Sequence, residues 1–148
     1  MEWNEIKTIE DIENLFMLFG GFHDGCLKEL YLWTDSYVDE ELSMAMSSGT
    51  NVRILFQRQI ENISAIELLF ESVTQFHMSP PPVNYDSVIY DATLLFEDEL
   101  FYWADDSSWS PNKSIDYDVS WISSKRLKWR DASSWIGRKM RYGVISED

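Results

Sequence analysis

Cysteine is the scarcest reactive residue in this chain of 148: Cys26 stands alone, so no internal disulfide can form. Histidine is nearly as rare, with His23 and His77 the whole supply. Two imidazoles and one thiol are a thin inventory for a transition-metal site, and neither Cys-x-x-Cys nor His-Glu-x-x-His spacing occurs, so no metal and no cofactor is expected. The Gly-x-Ser-x-Gly elbow is missing too, and Gly20-Gly21 lacks the downstream residues of a phosphate-cradling loop. Cys26 reads as a small buried thiol in a strand with no basic helper. No apolar run approaches the roughly 18–20 residues a membrane helix needs, so no membrane span is expected. The start, Met1-Glu2-Trp3-Asn4-Glu5, has neither the basic region nor the apolar run of a secretory signal, which points to the cytoplasm. Internal repeats and low-complexity tracts are absent.

Positive charge is also short, with 12 Lys and Arg against 26 Asp and Glu, net −14. Its distribution is uneven. Residues 125–148 hold seven basic groups against three acidic ones, whereas the first 124 hold five against 23. An acidic body of this kind repels nucleic acid and speeds encounters with basic proteins, so a basic protein partner is expected and nucleic acid is not.

Aromatic residues are what the chain has in quantity: 7 Trp, 7 Tyr and 8 Phe. Those rings supply enough apolar area to fold the chain despite its charge. The length suits one domain, 1–148, and is short for two. Pro80-Pro81-Pro82 cannot donate ladder hydrogen bonds, so 79–84 is a loop break, and the last few residues are expected to fray.

Ile9, Ile12, Leu15, Phe16 and Phe19 recur at helical spacing behind Thr8, a suitable N-cap, with acids in the first turn. Paired glycines at 20–21 end that helix because a left-handed position costs them little. Next comes strand alternation, Cys26, Lys28, Leu30 and Leu32 against Leu27, Glu29, Tyr31 and Trp33. A second strand over Leu42–Met46 and a third over Val52–Gln57 would pair across Ser47–Asn51 as a meander. The run 64–73 is ambiguous: Ile63, Ile66, Leu69 and Val73 fit a helix capped by Ser64 and Glu67, and Ile66, Leu68 and Phe70 fit a strand. Val88–Phe96 and Leu100–Trp103 flank Glu97-Asp98-Glu99 as a hairpin. Tyr117–Ser123 and Arg126–Trp129 suggest further strands, with Leu127 and Trp129 facing one way and Arg126, Lys128 and Arg130 the other. The expected class is α+β, mainly antiparallel sheet with an N-terminal helix packed against it.

Three stretches invite functional readings. His23-Asp24 has the residue types of a general acid/base with its orienting carboxylate; the structural alternative is an imidazole bonded to the backbone of the glycine turn and an aspartate capping a free amide. Lys125–Tyr142 interleaves cations with Trp129, Trp135 and Tyr142, the ingredients of single-strand stacking. Its rival packs Leu127 and Trp129 on the core and pairs the basic face with the acids of 97–106. Finally, Glu97, Asp98, Glu99, Trp103, Asp105, Asp106 and Trp109 place carboxylates around aromatic anchors, a surface suited to a basic partner. The alternative there is a solvated edge with both tryptophans tucked inward.

The Phe22-His23-Asp24 triplet between a helix and a strand resembles a signature of bacterial uncharacterised families and of immunity proteins from polymorphic toxin systems. Ala65–Val73 and Tyr90–Trp103 are similar to strands of the same group. The resemblance implies a sheet domain backed by a helix, decides 64–73 as strand, and carries over no catalytic residue. The functional expectation is a non-enzymatic acidic binding module, of the kind that neutralises a basic toxin domain. The alternative is a small enzyme or ligand-binding protein centred on His23 and Asp24.

Overall fold

A computed structural model describes residues 2–143. The expected fraying at the very end falls on 144–148, outside the described residues. The molecule is an α+β fold, mainly antiparallel sheet with one helix packed against it. The elements run β1 (Asn4–Glu5), α1 (Ile9–Leu18), β2 (Gly25–Thr34), β3 (Tyr37–Val38), β4 (Met44–Ala45), β5 (Thr50–Gln57), β6 (Ala65–His77), β7 (Val88–Ile89), β8 (Thr93–Glu97), β9 (Leu100–Ala104) and β10 (Trp121–Asp131). Strand order is β7-β2-β5-β6-β10-β9-β8, with β1 added on β10. Strands from both sides of the proline run thus share one sheet.

That order forces the sheet to curl. Its two edges, β7 and β8, are separated in sequence only by Tyr90, Asp91 and Ala92. So short a link spans at most about 14 Å, and the edges must come round towards each other. One face becomes concave, and Val52, Ile54, Phe56, Ile66, Leu68, Phe70, Ile122 and Leu127 project from it into the core.

Helix α1 fills that concavity. Thr8 caps it reciprocally: its hydroxyl accepts from the Asp11 amide (3.0 Å) while Asp11 Oδ2 accepts from the Thr8 amide (3.1 Å). Ile12, Leu15 and Phe19 are buried, but Ile9, assigned to the apolar face from its spacing, is 61% exposed. Gly20 and Gly21 adopt φ of +59° and +66°. At Gly20 a Cβ would also stand 2.8 Å from Arg58 Nη1, so the sharp turn needs glycine there. The turn drives Phe22 fully into the core, edge-on to Phe56 (5.0 Å between centroids) and Trp103 (5.9 Å).

Four details differ from the sequence expectations. A bulge in β2 places Lys28 as the extra residue, so Leu27, Leu30 and Leu32 share the concave side and Cys26, Glu29, Tyr31 and Trp33 the convex one. The partner of β5 is β2, not the segment around Leu42–Met46, which instead forms a two-stranded tip with Tyr37–Val38. Tyr117–Ser123 and Arg126–Trp129 are not two strands but one, β10, which starts at Trp121, whereas 64–73 is strand as expected and continues to His77. Val88–Ile89 does not belong to the hairpin: it pairs with β2 at the opposite edge, and only Thr93–Glu97 pairs with β9.

Candidate functional site

His23 and Asp24 sit at the seam where the sheet edges approach. The Asp24 amide donates to the Ile89 carbonyl (2.8 Å), and His23 Nδ1 donates to the Tyr90 carbonyl. Both partners lie in or beside β7, so the motif clasps the start of β2 to the edge link. The side chains do meet, Nε2 to Oδ2 at 3.2 Å, because Asp24 takes a left-handed conformation (φ +57°) rather than strand alternation. They are 65% and 67% exposed, on the outside of the seam. His77 is remote from them, stacked on Trp121 at 5.2 Å. Among the described residues no three His, Cys, Asp or Glu side chains cluster to hold a metal ion.

The acidic residues of 97–106 divide between the two ends of β9, with Glu97, Asp98 and Glu99 before Leu100 and Asp105 and Asp106 beyond Ala104. Asp98 and Glu99 are the two central residues of a tight β8–β9 turn, both at positive φ, and with Glu97 they are fully displayed. Trp103 and Trp109, read as anchors on that surface, are only 2% and 8% exposed. Trp103 lies opposite Ile122 on the core side of β9, and Trp109 packs on Tyr102 and Trp121. Asp105 and Asp106 are half-buried: Asp105 accepts from the Ser120 amide (2.9 Å), and Asp106 from the Ser108 amide (2.7 Å) and the Tyr117 hydroxyl (2.9 Å). Burial pushes the Asp105 carboxyl above the ordinary aspartate value, and neighbouring Asp106 adds to the effect against the opposing Ser120 amide.

Beside these residues a cleft of about 520 Å³ opens between the proline loop and the edge link. Its rim carries Asp86, Asp105 and Asp118; its walls include Pro81, Val88, Tyr90 and Trp103. None of the three carboxylates takes part in an ion pair among the described residues. The indole N–H of Trp103 is buried without a hydrogen-bond partner, an uncommon and costly condition for a buried donor. Across residues 79–120 there are nine acids and one base, Lys113. Compared with family models, curated proteins and solved structures, the chain matches none.

Four of the cations are paired on the convex face. Glu67 is fully buried there between Arg53 (2.6 Å) and Arg130 (2.6 Å), and Glu71 meets Lys128 (3.0 Å) and Arg126 (4.0 Å). The basic side of β10 therefore pairs with β6, its direct neighbour, rather than with the acids of 97–106; Leu127 and Trp129 do pack on the core. Residues 132–143 then strap back over this face. The Ala132 amide donates to the Ala65 carbonyl, Gln57 Nε2 donates to the carbonyls of Trp135 and Gly137, and the amides of Arg141 and Tyr142 donate to the Glu29 carboxylate at 2.9–3.1 Å. Trp135 and Tyr142, read as stacking groups, are engaged by Arg141 and Arg53.

Sequence reasoning found the acids of 97–106 but missed Asp86, Asp118, Tyr90 and Tyr117. A signal existed: aspartate abuts tyrosine at 85–86, 90–91 and 116–118. That these segments meet at one cleft depends on the curl of the sheet, which no local pattern encodes.

Proposed function

We propose that this protein is a non-enzymatic, cytoplasmic binding module of the immunity-protein kind, which neutralises a basic toxin domain by covering its active surface. The observation that carries the reading is the separation of charge. Arg53, Arg126, Lys128 and Arg130 are consumed by Glu67 and Glu71 on the convex face, while residues 79–120 keep nine acids against one lysine. Exposed carboxylates that take part in no ion pair steer a basic partner and penalise nucleic acid. Glu97, Asp98 and Glu99 display this charge at the β8–β9 turn, and Asp105 and Asp106 carry it at the opposite end of β9.

An enzyme centred on His23 and Asp24 draws support from their 3.2 Å contact. Against it, the Nδ1 hydrogen is already given to the Tyr90 carbonyl, and neither residue lines the acidic cleft. The test is co-expression with a toxin encoded beside the gene. Growth rescue, co-purification, and loss of both on the combined charge reversal E97K/D98K/E99K are expected. Absence of any toxic neighbour together with failure to retain a basic partner would overturn the reading.

A further inference from the structure

The cleft beside the acidic surface has features that general charge attraction does not require. Its volume, about 520 Å³, lies in the range of small-ligand sites. Its walls combine flat apolar groups, Pro81 and Tyr90, with three carboxylates that take part in no ion pair among the described residues. Trp103 is 2% exposed yet its indole N–H is unpaired, so a ligand that brings a carbonyl oxygen can satisfy it. A group that is positively charged, planar and carried on a chain with carbonyls answers all three features together. Guanidinium fits better than ammonium, because it stacks on aromatic and proline faces, loses less hydration on burial, and can engage carboxylates with two parallel hydrogen bonds. An anionic ligand is opposed by the same three carboxylates.

We propose that the cleft is an arginine-binding pocket, which takes one arginine side chain of an extended peptide segment against Tyr90 and Pro81, with Asp105 and Asp118 holding the guanidinium and the Trp103 indole donating to a peptide carbonyl. This deepens the protein-binding reading and rests on it, for the arginine belongs to the basic partner. Asp105 is the central contact. Its carboxyl is already tied to the Ser120 amide by one oxygen, leaving the other for the ligand. Asp118 and Tyr117 stand on the exposed rim, where they meet the ligand without rearrangement of the core.

The probe is the peptide acetyl-Gly-Arg-Leu-amide, titrated into ¹⁵N-labelled protein while the tryptophan indole N–H resonances are followed. Its citrulline counterpart, equal in shape and uncharged, is the control. Saturable movement of the Trp103 resonance is expected, with affinity about tenfold weaker for citrulline and for each of D105N and D118N. The Trp103 signal is identified by W103F. Should that variant not fold, the exposed-rim variant D118N carries the test through affinity alone. Equal response to arginine and citrulline, no saturation, or no effect of D105N and D118N overturns the pocket. The two readings also fail separately. A toxin captured with unchanged affinity by D105N and D118N keeps the protein-binding function and removes the pocket. An arginine peptide that binds as described, with no basic protein partner retained, does the reverse.

Discussion

Glu67 and Asp105 are both carboxylates taken partly out of water, with opposite consequences. Glu67, fully buried, has two guanidinium groups at 2.6 Å, and its neighbour across the strap, Tyr142, is held protonated far above the usual phenol range by burial and then by that same carboxylate. Removing one partner from such a group leaves the others buried and uncompensated. E67A should therefore cost about 3–5 kcal/mol, read from urea denaturation. Asp105 has no cation. Because its carboxyl is raised above 3.8, the unfolded chain releases the proton more readily than the native one, so the charged form opposes folding. Its favourable contribution is present below pH 3.8 and is lost as pH rises through the native value. D105N keeps an oxygen for the Ser120 amide and should raise stability at pH 7, by well under about 1 kcal/mol after solvent screening. The advantage should vanish as the pH falls below 3.8, which thermal melts of both proteins across pH 3–7 would reveal.

At the scale of elements, two connections invite direct tests. The β8–β9 turn is built from Asp98 and Glu99, both in left-handed conformations (φ +52° and +65°) where side chains are disfavoured. E99G should relieve that strain by about 1 kcal/mol, partly offset by the greater freedom of glycine in the unfolded chain. A small rise in melting temperature is expected, and a fall would mean the Glu99 side chain contributes more than its backbone costs. The strap across the convex face depends on Glu29. Burial raises that carboxyl, but the amides of Arg141 and Tyr142 and then Lys28 outweigh it, so the net value lies below 4.5. A lowered value means the contribution is held above pH 4.5 and lost as pH falls through the native value. E29Q should cost about 1–3 kcal/mol, with faster hydrogen exchange at Arg141 and Tyr142 than at β6 amides. The helix was legible because its signals are local: Thr8 and Asp11 are three residues apart, and the glycines adjoin its end. The strands were legible as types but not as partners. One inserted residue, Lys28, reverses the apparent phase of β2, and the pairing of Glu67 with Arg53 and Arg130 spans 14 and 63 residues of chain. Trp103 had the right residue type for an anchor; its burial follows from a core-facing register set by β10.

For the molecule as a whole, uneven charge sets a prediction that distinguishes stability from binding. Lys28, Arg53 and Arg130 lie partly buried against their carboxylates, so added salt screens these pairs little. The acids of 79–120, by contrast, are mostly exposed and have one lysine among them, and their mutual repulsion acts against the compact state. Between about 0.01 M and 0.15 M salt the screening length falls from roughly 30 Å to roughly 8 Å, which weakens that repulsion more than it weakens the buried pairs. Stability should rise with salt over this range. Association with a basic partner runs the other way, since the same field that burdens the free protein steers the encounter. The association rate should drop steeply over the same interval while the dissociation rate changes little. Chemical denaturation and stopped-flow association at matched salt concentrations measure the two trends. If stability fell with salt instead, the net electrostatics of the fold would be attractive, and the carboxylates around the cleft would have to be neutralised within the chain rather than kept for a partner.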